Sequence, residues 1–392
     1  MEECKPILNT GLRGFKVAST RISDVDGLAG KLIYRGYLIK ELAGKISYEE
    51  VVYLLLYEKL PNKKELDHFK KQLAEARQLP PEFILSLENR PKDALPMDIL
   101  QAGAAMLAHH DPDAKELSLE AANRMAIKLI AKFPTIIAAW SRIRNNQKPV
   151  EPNPSLSHAA NFLYMMNGTI PDDELAGFFD VCLVLHAEHS FNASTFAARE
   201  VASTRAHMYS AVAAGVGSLS GELHGGANTR VMEMLLEIGS VDEVEEYVTN
   251  LLDTGGIIMG LGHAVYQTDD PRAHILAPMS KTMGERTGET KWYEMTKLLE
   301  QKGKEAFKRK KGRDIYVNVD FYSASLYYYM GIPADLFTPI FAIARITGWV
   351  AHIIEEQFGG AAPKPVLYRP DSQYIGEYCG PDLCAFVPME ER

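Results

Sequence analysis

Four stretches set polar side chains inside apolar or glycine-rich surroundings. They are His186-Ala-Glu-His-Ser-Phe-Asn192, Leu223-His-Gly-Gly-Ala-Asn228, Gly262-His-Ala-Val-Tyr266 with Asp270-Pro-Arg272, and Asn318-Val-Asp-Phe-Tyr-Ser323. Arg345, within an apolar run, and Arg369, in Leu367-Tyr-Arg-Pro370, join them. This set suits proton transfer beside a carbonyl. A carboxylate can take the proton, a neutral imidazole can donate to the developing enolate oxygen, and a second imidazole can polarise an electrophilic carbonyl. Arginines hold carboxylates through paired N–H donors. Spacing along the chain does not bring these parts together; the fold must.

Other chemistries fit less well. His186 and His189 stand three apart, and His109-His110-Asp111 forms a second cluster, but neither matches HExxH or a zinc-finger spacing. No metal is expected. Gly215-Val-Gly-Ser-Leu-Ser-Gly221 resembles GxGxxG only loosely and follows a helical pattern, and no GK[ST] P-loop occurs, so dehydrogenase and kinase chemistry are set aside. Two glycine clusters, Gly215 to Gly226 and Gly255 to Gly262, read as loops between helices, and each carries or leads into a histidine. Plainer readings stand beside the chemical ones. His224 and His263 could be satisfied core histidines, Asp320 could cap a helix beginning at Phe321, and Arg345 could pair with a buried acid. His186 reads as packed rather than functional. Lys308-Arg-Lys-Lys-Gly-Arg313 would ordinarily be a solvated strip.

Helical patterns supply the scaffold. Ser47-Tyr-Glu-Glu50 is a capping box opening a helix that ends before Pro61. Apolar spacing of three and four predicts helices near 64–78, 97–110, 117–145, 155–167, 172–189, 195–214, 241–254, 292–309 and 334–357. Strand-like runs are few: Lys31–Tyr37 and Ile315–Val319. The absence of strand–helix alternation argues against a doubly wound sheet, and the fold class is all-α. With 392 residues, two domains are the default.

Lysine and arginine number 42 against 51 acids, a net charge of -9 that disfavours nucleic acid and anionic membrane as partners. An anionic substrate would need positive charge gathered locally. The N-terminus lacks an apolar signal core, and Phe337–Ile354 carries Arg345 and His352, so it reads as a buried helix. Cys4, Cys182, Cys379 and Cys384 form no CxxC and read as free thiols in a cytoplasmic protein. Tyr327-Tyr-Tyr329 reads as core and subunit packing.

The four stretches, in this order, closely resemble the citrate synthase family. The resemblance runs from Gly11-Leu-Arg-Gly-Phe15 and Tyr34-Arg-Gly-Tyr37 to Arg369-Pro-Asp-Ser-Gln-Tyr374, and LHGGAN, GHAVY…DPR and NVDFYS in sequence are hard to meet by chance. The overall pattern is similar to the shorter bacterial and archaeal branch, which includes 2-methylcitrate synthases. Leu261 stands where the family often has an aromatic, and Arg369-Pro-Asp where Arg-Pro-Arg is frequent.

The resemblance implies a two-domain helical fold, with a large domain from 1–225 and 332–392 and a small domain, 226–331, inserted between hinge glycines. It implies an acyltransferase of the tricarboxylic acid cycle that condenses acetyl-CoA with oxaloacetate and hydrolyses citryl-CoA to citrate and CoA. The alternatives are propionyl-CoA as the acyl donor, a citryl-CoA lyase, or a non-catalytic helical scaffold. Asp320 would be the base, His224 the donor to the thioester oxygen, and His263 the group that polarises the ketone. His189, Arg272, Arg345 and Arg369 would bind the oxo-acid, Arg369 from the partner subunit of a homodimer. Ile257, Met259, Gly260, Leu261 and Gly262, with Lys310, Lys311 and Arg313, would hold CoA. No cofactor is implied, acetyl-CoA being a substrate.

Overall fold

The computed structural model describes residues 11–12, 14–360, 366–375 and 388–391. Arg13, Cys4, Cys379 and Cys384 lie outside the described residues; Cys182 is a buried free thiol. The fold is mostly helical, as the apolar spacing predicts.

A small antiparallel sheet comes first, β1 (Ser23–Asp26), β2 (Lys31–Tyr34) and β3 (Tyr37–Leu38), in that spatial order. The expected strand Lys31–Tyr37 is therefore two strands about a turn at Arg35 and Gly36, both with positive φ. Ile315–Val319 forms no strand; Val317 makes one isolated antiparallel bridge to Leu261.

The helices then run α1 (Ile39–Leu42), α2 (Tyr48–Tyr57), α3 (Lys63–Glu75), α4 (Pro81–Glu88), α5 (Pro96–Leu107), α6 (Leu119–Arg144), α7 (His158–Asn167) and α8 (Asp173–His186). They continue with α9 (Ala193–Ser203), α10 (Met208–Leu219), α11 (Ala227–Ile238), α12 (Val244–Asp253), α13 (Pro271–Thr287), α14 (Lys291–Lys311), α15 (Val319–Tyr329) and α16 (Phe337–Phe358). The Glu50 carboxylate reaches back to accept the Ser47 N–H at the start of α2, as the capping box requires, and it accepts the Ser47 hydroxyl as well.

Two corrections concern the site. The predicted helix 195–214 is two helices, and the glycine run that reads as a loop belongs mostly to the second, since α10 contains Gly215 and Gly217. Close packing explains this: a Cβ on Gly215 would meet the Trp349 ring at 3.2 Å, and one on Gly217 the Gln101 amide at 2.4 Å. Helix α8 stops at His186, so His186 and His189 do not share a helical face.

α16 is the central strut, packed on α2, α6, α8, α9 and α10. It is long and apolar enough to cross a membrane, but 94% of its most apolar window is buried inside the fold. Helices α11 to α15 pack chiefly on one another, α13 against α15 and α12 against α14. Tyr327 and Tyr329 are buried in the core.

Candidate active site

His263 and Asp320 are carried by two segments zipped together. The Asn318 N–H donates to the Gly260 carbonyl at 2.9 Å, the Gly262 N–H to the Tyr316 carbonyl at 2.7 Å, and the Asp270 N–H to the Val317 carbonyl at 3.0 Å. Gly260 and Gly262 take left-handed φ of 81° and 97°. A side chain on Gly260 would strike Phe321, beside Asp320, at 2.4 Å. Those glycines let the loop lie against α15. Asp320 is not the cap of its helix: Asn318 is, its side chain accepting the Asp320 N–H at 3.0 Å, which leaves the Asp320 carboxylate uncommitted to capping.

The His263 ring is held by its own loop. Its Nδ1 faces the backbone N–H groups of Val265 and Tyr266, each at 3.0 Å. Backbone N–H groups only donate, so Nδ1 is an acceptor and the ring proton sits on Nε2.

His224 lies in the tight turn between α10 and α11, where a Cβ on Gly225 would sit 2.1 Å from the Leu219 carbonyl oxygen. Its Nε2 accepts the Ser194 N–H at 3.2 Å and lies 2.8 Å from the Ser194 hydroxyl. That hydroxyl accepts the Trp349 indole N–H at 3.1 Å and is 2.8 Å from Asn192 Oδ1. The His224 proton is therefore on Nδ1, the opposite tautomer to His263.

His189 is buried beside His263, with ring centroids 5.4 Å apart and its Nε2 3.3 Å from the Tyr266 hydroxyl. Arg272 is buried and bidentate to Asp270, at 3.0 and 2.6 Å. Arg345 is buried as well, but its Nε donates to the His186 carbonyl at 2.8 Å, and among the described residues no carboxylate lies within ion-pair distance. His186, fully buried against Phe341 and bonded to the Cys182 carbonyl, stays with packing.

Burial dominates the electrostatics. It lowers His224 to about 4, helped by Arg345, and His263 to about 4, helped by Arg272. Burial, then the charges of Arg272, His263 and Arg345, also hold His189 well below the ordinary histidine range. All three imidazoles are neutral at physiological pH. Burial raises Asp320 to about 6 against the opposing pull of Arg272 and Arg345. Burial also lowers Arg345 to about 10, the Glu188 carboxylate being its largest support. The fields of Arg272 and Arg345 thus reach His189 and Asp320 alike, and one or the other reaches His263 and His224. The arrangement offers a carboxylate base, two neutral imidazole donors of opposite tautomer and two buried cations.

His189, His263 and Asp270 also offer ligand atoms within 4.8 Å of one another. Both Asp270 oxygens already serve Arg272, and His263 Nδ1 already accepts two N–H groups, so the donor set is a poor fit to a cation. Asp111 is held by Lys128 at 2.6 Å beside exposed His109 and His110.

The remaining expected residues are scattered by exposure. Ile257 is exposed, Met259 partly so, and Leu261 buried. Lys310 is paired with Asp253 at 3.0 Å, Lys311 is exposed, and Arg313 lies 5.6 Å from the Phe307 ring centre. Arg369 is exposed in the segment 366–375. Sequence reasoning missed Ser194, Trp349 and Glu188. Asn192 accepting the Thr195 N–H at the start of α9 is a capping signal that would have placed Ser194 in a first helical turn.

The family model for "Citrate synthase, C-terminal domain" matches residues 11–371. The citrate synthase of Haloferax volcanii is 45% identical over 394 positions, covering 98% of this chain and 99% of that relative. A crystal structure of citrate synthase from Pyrobaculum aerophilum matches with a TM-score of 0.90 at 39% identity, covering 99% of this chain and 98% of that one. The Thermoplasma acidophilum citrate synthase, solved as a ternary complex with carboxymethyl coenzyme A and oxaloacetate, matches with a TM-score of 0.90 at 30% identity, over 99% of this chain and 100% of that one.

Proposed function

The chain belongs to the citrate synthase family, and from that premise we propose how its own residues condense acetyl-CoA with oxaloacetate and release citrate and CoA. Asp320 takes the methyl proton of acetyl-CoA. His224 donates its Nδ1–H to the thioester oxygen, stabilising the enol in a site that already excludes much water. His263 donates its Nε2–H to the ketone of oxaloacetate, polarises it, and supplies the proton that the new alkoxide needs. Water then hydrolyses citryl-CoA. The observation that supports this division of labour is the pair of neutral imidazoles held as opposite tautomers by their surroundings.

Arg345, Arg272 and His189 bind the oxo-acid. Arg345 supports this best, because a buried guanidinium with no carboxylate within ion-pair distance among the described residues attracts an anion strongly. Arg369 is proposed to complete the site of a second copy in a homodimer; the exposed apolar side chains Val366, Leu367 and Ile375 around it suit burial against another chain. The Ile257–Gly262 loop, with Lys310, Lys311 and Arg313, takes CoA, and acetyl-CoA is a substrate rather than a cofactor. The 226–331 segment acts as a small domain that closes on the rest once oxo-acid is bound. Scattering profiles unchanged by saturating oxaloacetate would count against closure. The compartment proposed is the cytoplasm.

Release of CoA from acetyl-CoA with oxaloacetate, followed with a chromogenic thiol reagent, tests the reading; propionyl-CoA on the same preparation tests the alternative. One methylene in an apolar pocket separates the two donors by about 1–3 kcal/mol. A higher kcat/KM for propionyl-CoA would move the assignment to 2-methylcitrate formation.

A further inference from the structure

We infer that the β1–β2 hairpin positions the oxo-acid subsite, holding the His189 and His263 loops in register from its two ends. The inference rests on the assignment of those histidines to oxo-acid binding.

Ser23 and Tyr34 face each other across the hairpin. The Ser23 hydroxyl donates to Glu188 Oε1 at 2.8 Å and accepts the Ser190 N–H at 3.0 Å. The Tyr34 hydroxyl accepts the Glu188 N–H at 3.1 Å and donates to the Glu188 carbonyl at 2.9 Å. One cross-strand pair therefore grips both sides of His189, and Glu188 is further fixed by His352 Nε2 at 2.9 Å.

The turn of the same hairpin reaches the other loop. The Gly27 carbonyl accepts the Gln267 N–H at 2.8 Å, and Gln267 follows Tyr266, whose own N–H anchors His263 Nδ1. A Cβ on Gly27 would lie 2.2 Å from the Val265 carbonyl oxygen, and one on Gly30 2.7 Å from the Thr268 methyl group. Asp26 presets the turn by accepting the N–H groups of Leu28 and Ala29 at 3.1 and 2.8 Å. From Ser23 to Gly27 the strand is a stiff spacer of about 13 Å. None of these groups reaches the reacting atoms. They act by fixing where two imidazoles stand, and a misplacement near 1 Å can cost about a hundredfold in rate.

Gly27→Ala is the test. Gly27 lies outside the left-handed region, so alanine brings no φ strain, and its Cβ, 2.2 Å from the Val265 carbonyl oxygen, forces the hairpin turn and the His263 loop apart. The expected result is a KM for oxaloacetate raised about tenfold or more, a KM for acetyl-CoA within about twofold at saturating oxaloacetate, and matching weakening of oxaloacetate binding by calorimetry. A merely structural role would lower the thermal midpoint and leave the ratio of the two KM values alone. Ser23→Ala moves oxaloacetate binding the same way by a smaller factor, and Ser23→Thr, which keeps the hydroxyl, restores it; this pair decides the matter if Gly27→Ala does not fold. Folded Gly27→Ala and Ser23→Ala proteins that bind oxaloacetate like the wild type overturn the inference. Wild-type protein that binds oxaloacetate but releases no CoA fails the functional reading instead, and calorimetry on the variants still reads the positioning.

Discussion

His263 and His224 are both uncharged donors, but their protons are fixed by different means. His263 is oriented by the N–H groups two and three residues ahead in its own loop, so it carries its tautomer wherever that loop goes. His224 depends on Ser194 at the start of α9, and through the Ser194 hydroxyl on Trp349 in the middle of α16. The first is a local device. The second is assembled from the packing of three helices, and a change in α16 can reach it without touching substrate.

Asp320→Asn should break both halves at once, because neither imidazole has work to do without a base. The expected loss in kcat is about a thousandfold. Burial holds the Asp320 proton on more tightly in the folded chain than in the unfolded one, so the charged carboxylate costs stability above about pH 6. That cost is relieved as pH falls through the folded value. The asparagine variant should therefore melt at or above the wild-type temperature at pH 8, and a clear fall would show that the carboxylate is structural.

Replacing either histidine by asparagine should lower kcat by about a hundredfold or more, with His263→Asn also weakening oxaloacetate and His224→Asn leaving its KM near the wild type. Equal effects on oxaloacetate would erase the distinction between the two rings. In a pH profile, kcat/KM should fall below about 6 as Asp320 takes up a proton, with the imidazoles neutral until about 4. A break near the ordinary histidine value would show that one imidazole titrates freely. Ser194→Ala should have the smallest effect, about tenfold in kcat, because it removes the hydroxyl and keeps the N–H on Nε2. No change at all would mean that the remote support is dispensable.

Much of this was legible in the chain. The polar islands in apolar sequence marked His189, His224, His263, Asp320, Arg272 and Arg345, and the spacing of apolar residues marked most helices. What escaped was contextual. No helix is predicted over α4 or α13, whose opening prolines, Pro81 and Pro271, sit at the first helical position where a missing N–H costs nothing. Gly215 and Gly217 read as loop because glycine disfavours helix, and the tryptophan and glutamine that require their bareness lie far away in sequence. Asp320 resembled a cap until Asn318, two residues earlier, took that place. Ser194 carries no signal of its own; only folding sets it against His224.

Arg345 is buried with no carboxylate within ion-pair distance among the described residues. If a solute carrying carboxylates binds there, as proposed, occupancy and folding are linked, and saturation at a hundred times Kd should add about 2.7 kcal/mol to the stability of the whole chain. Resistance to heat or proteolysis would then rise and fall with the supply of that metabolite, making persistence of the protein a readout of what it consumes.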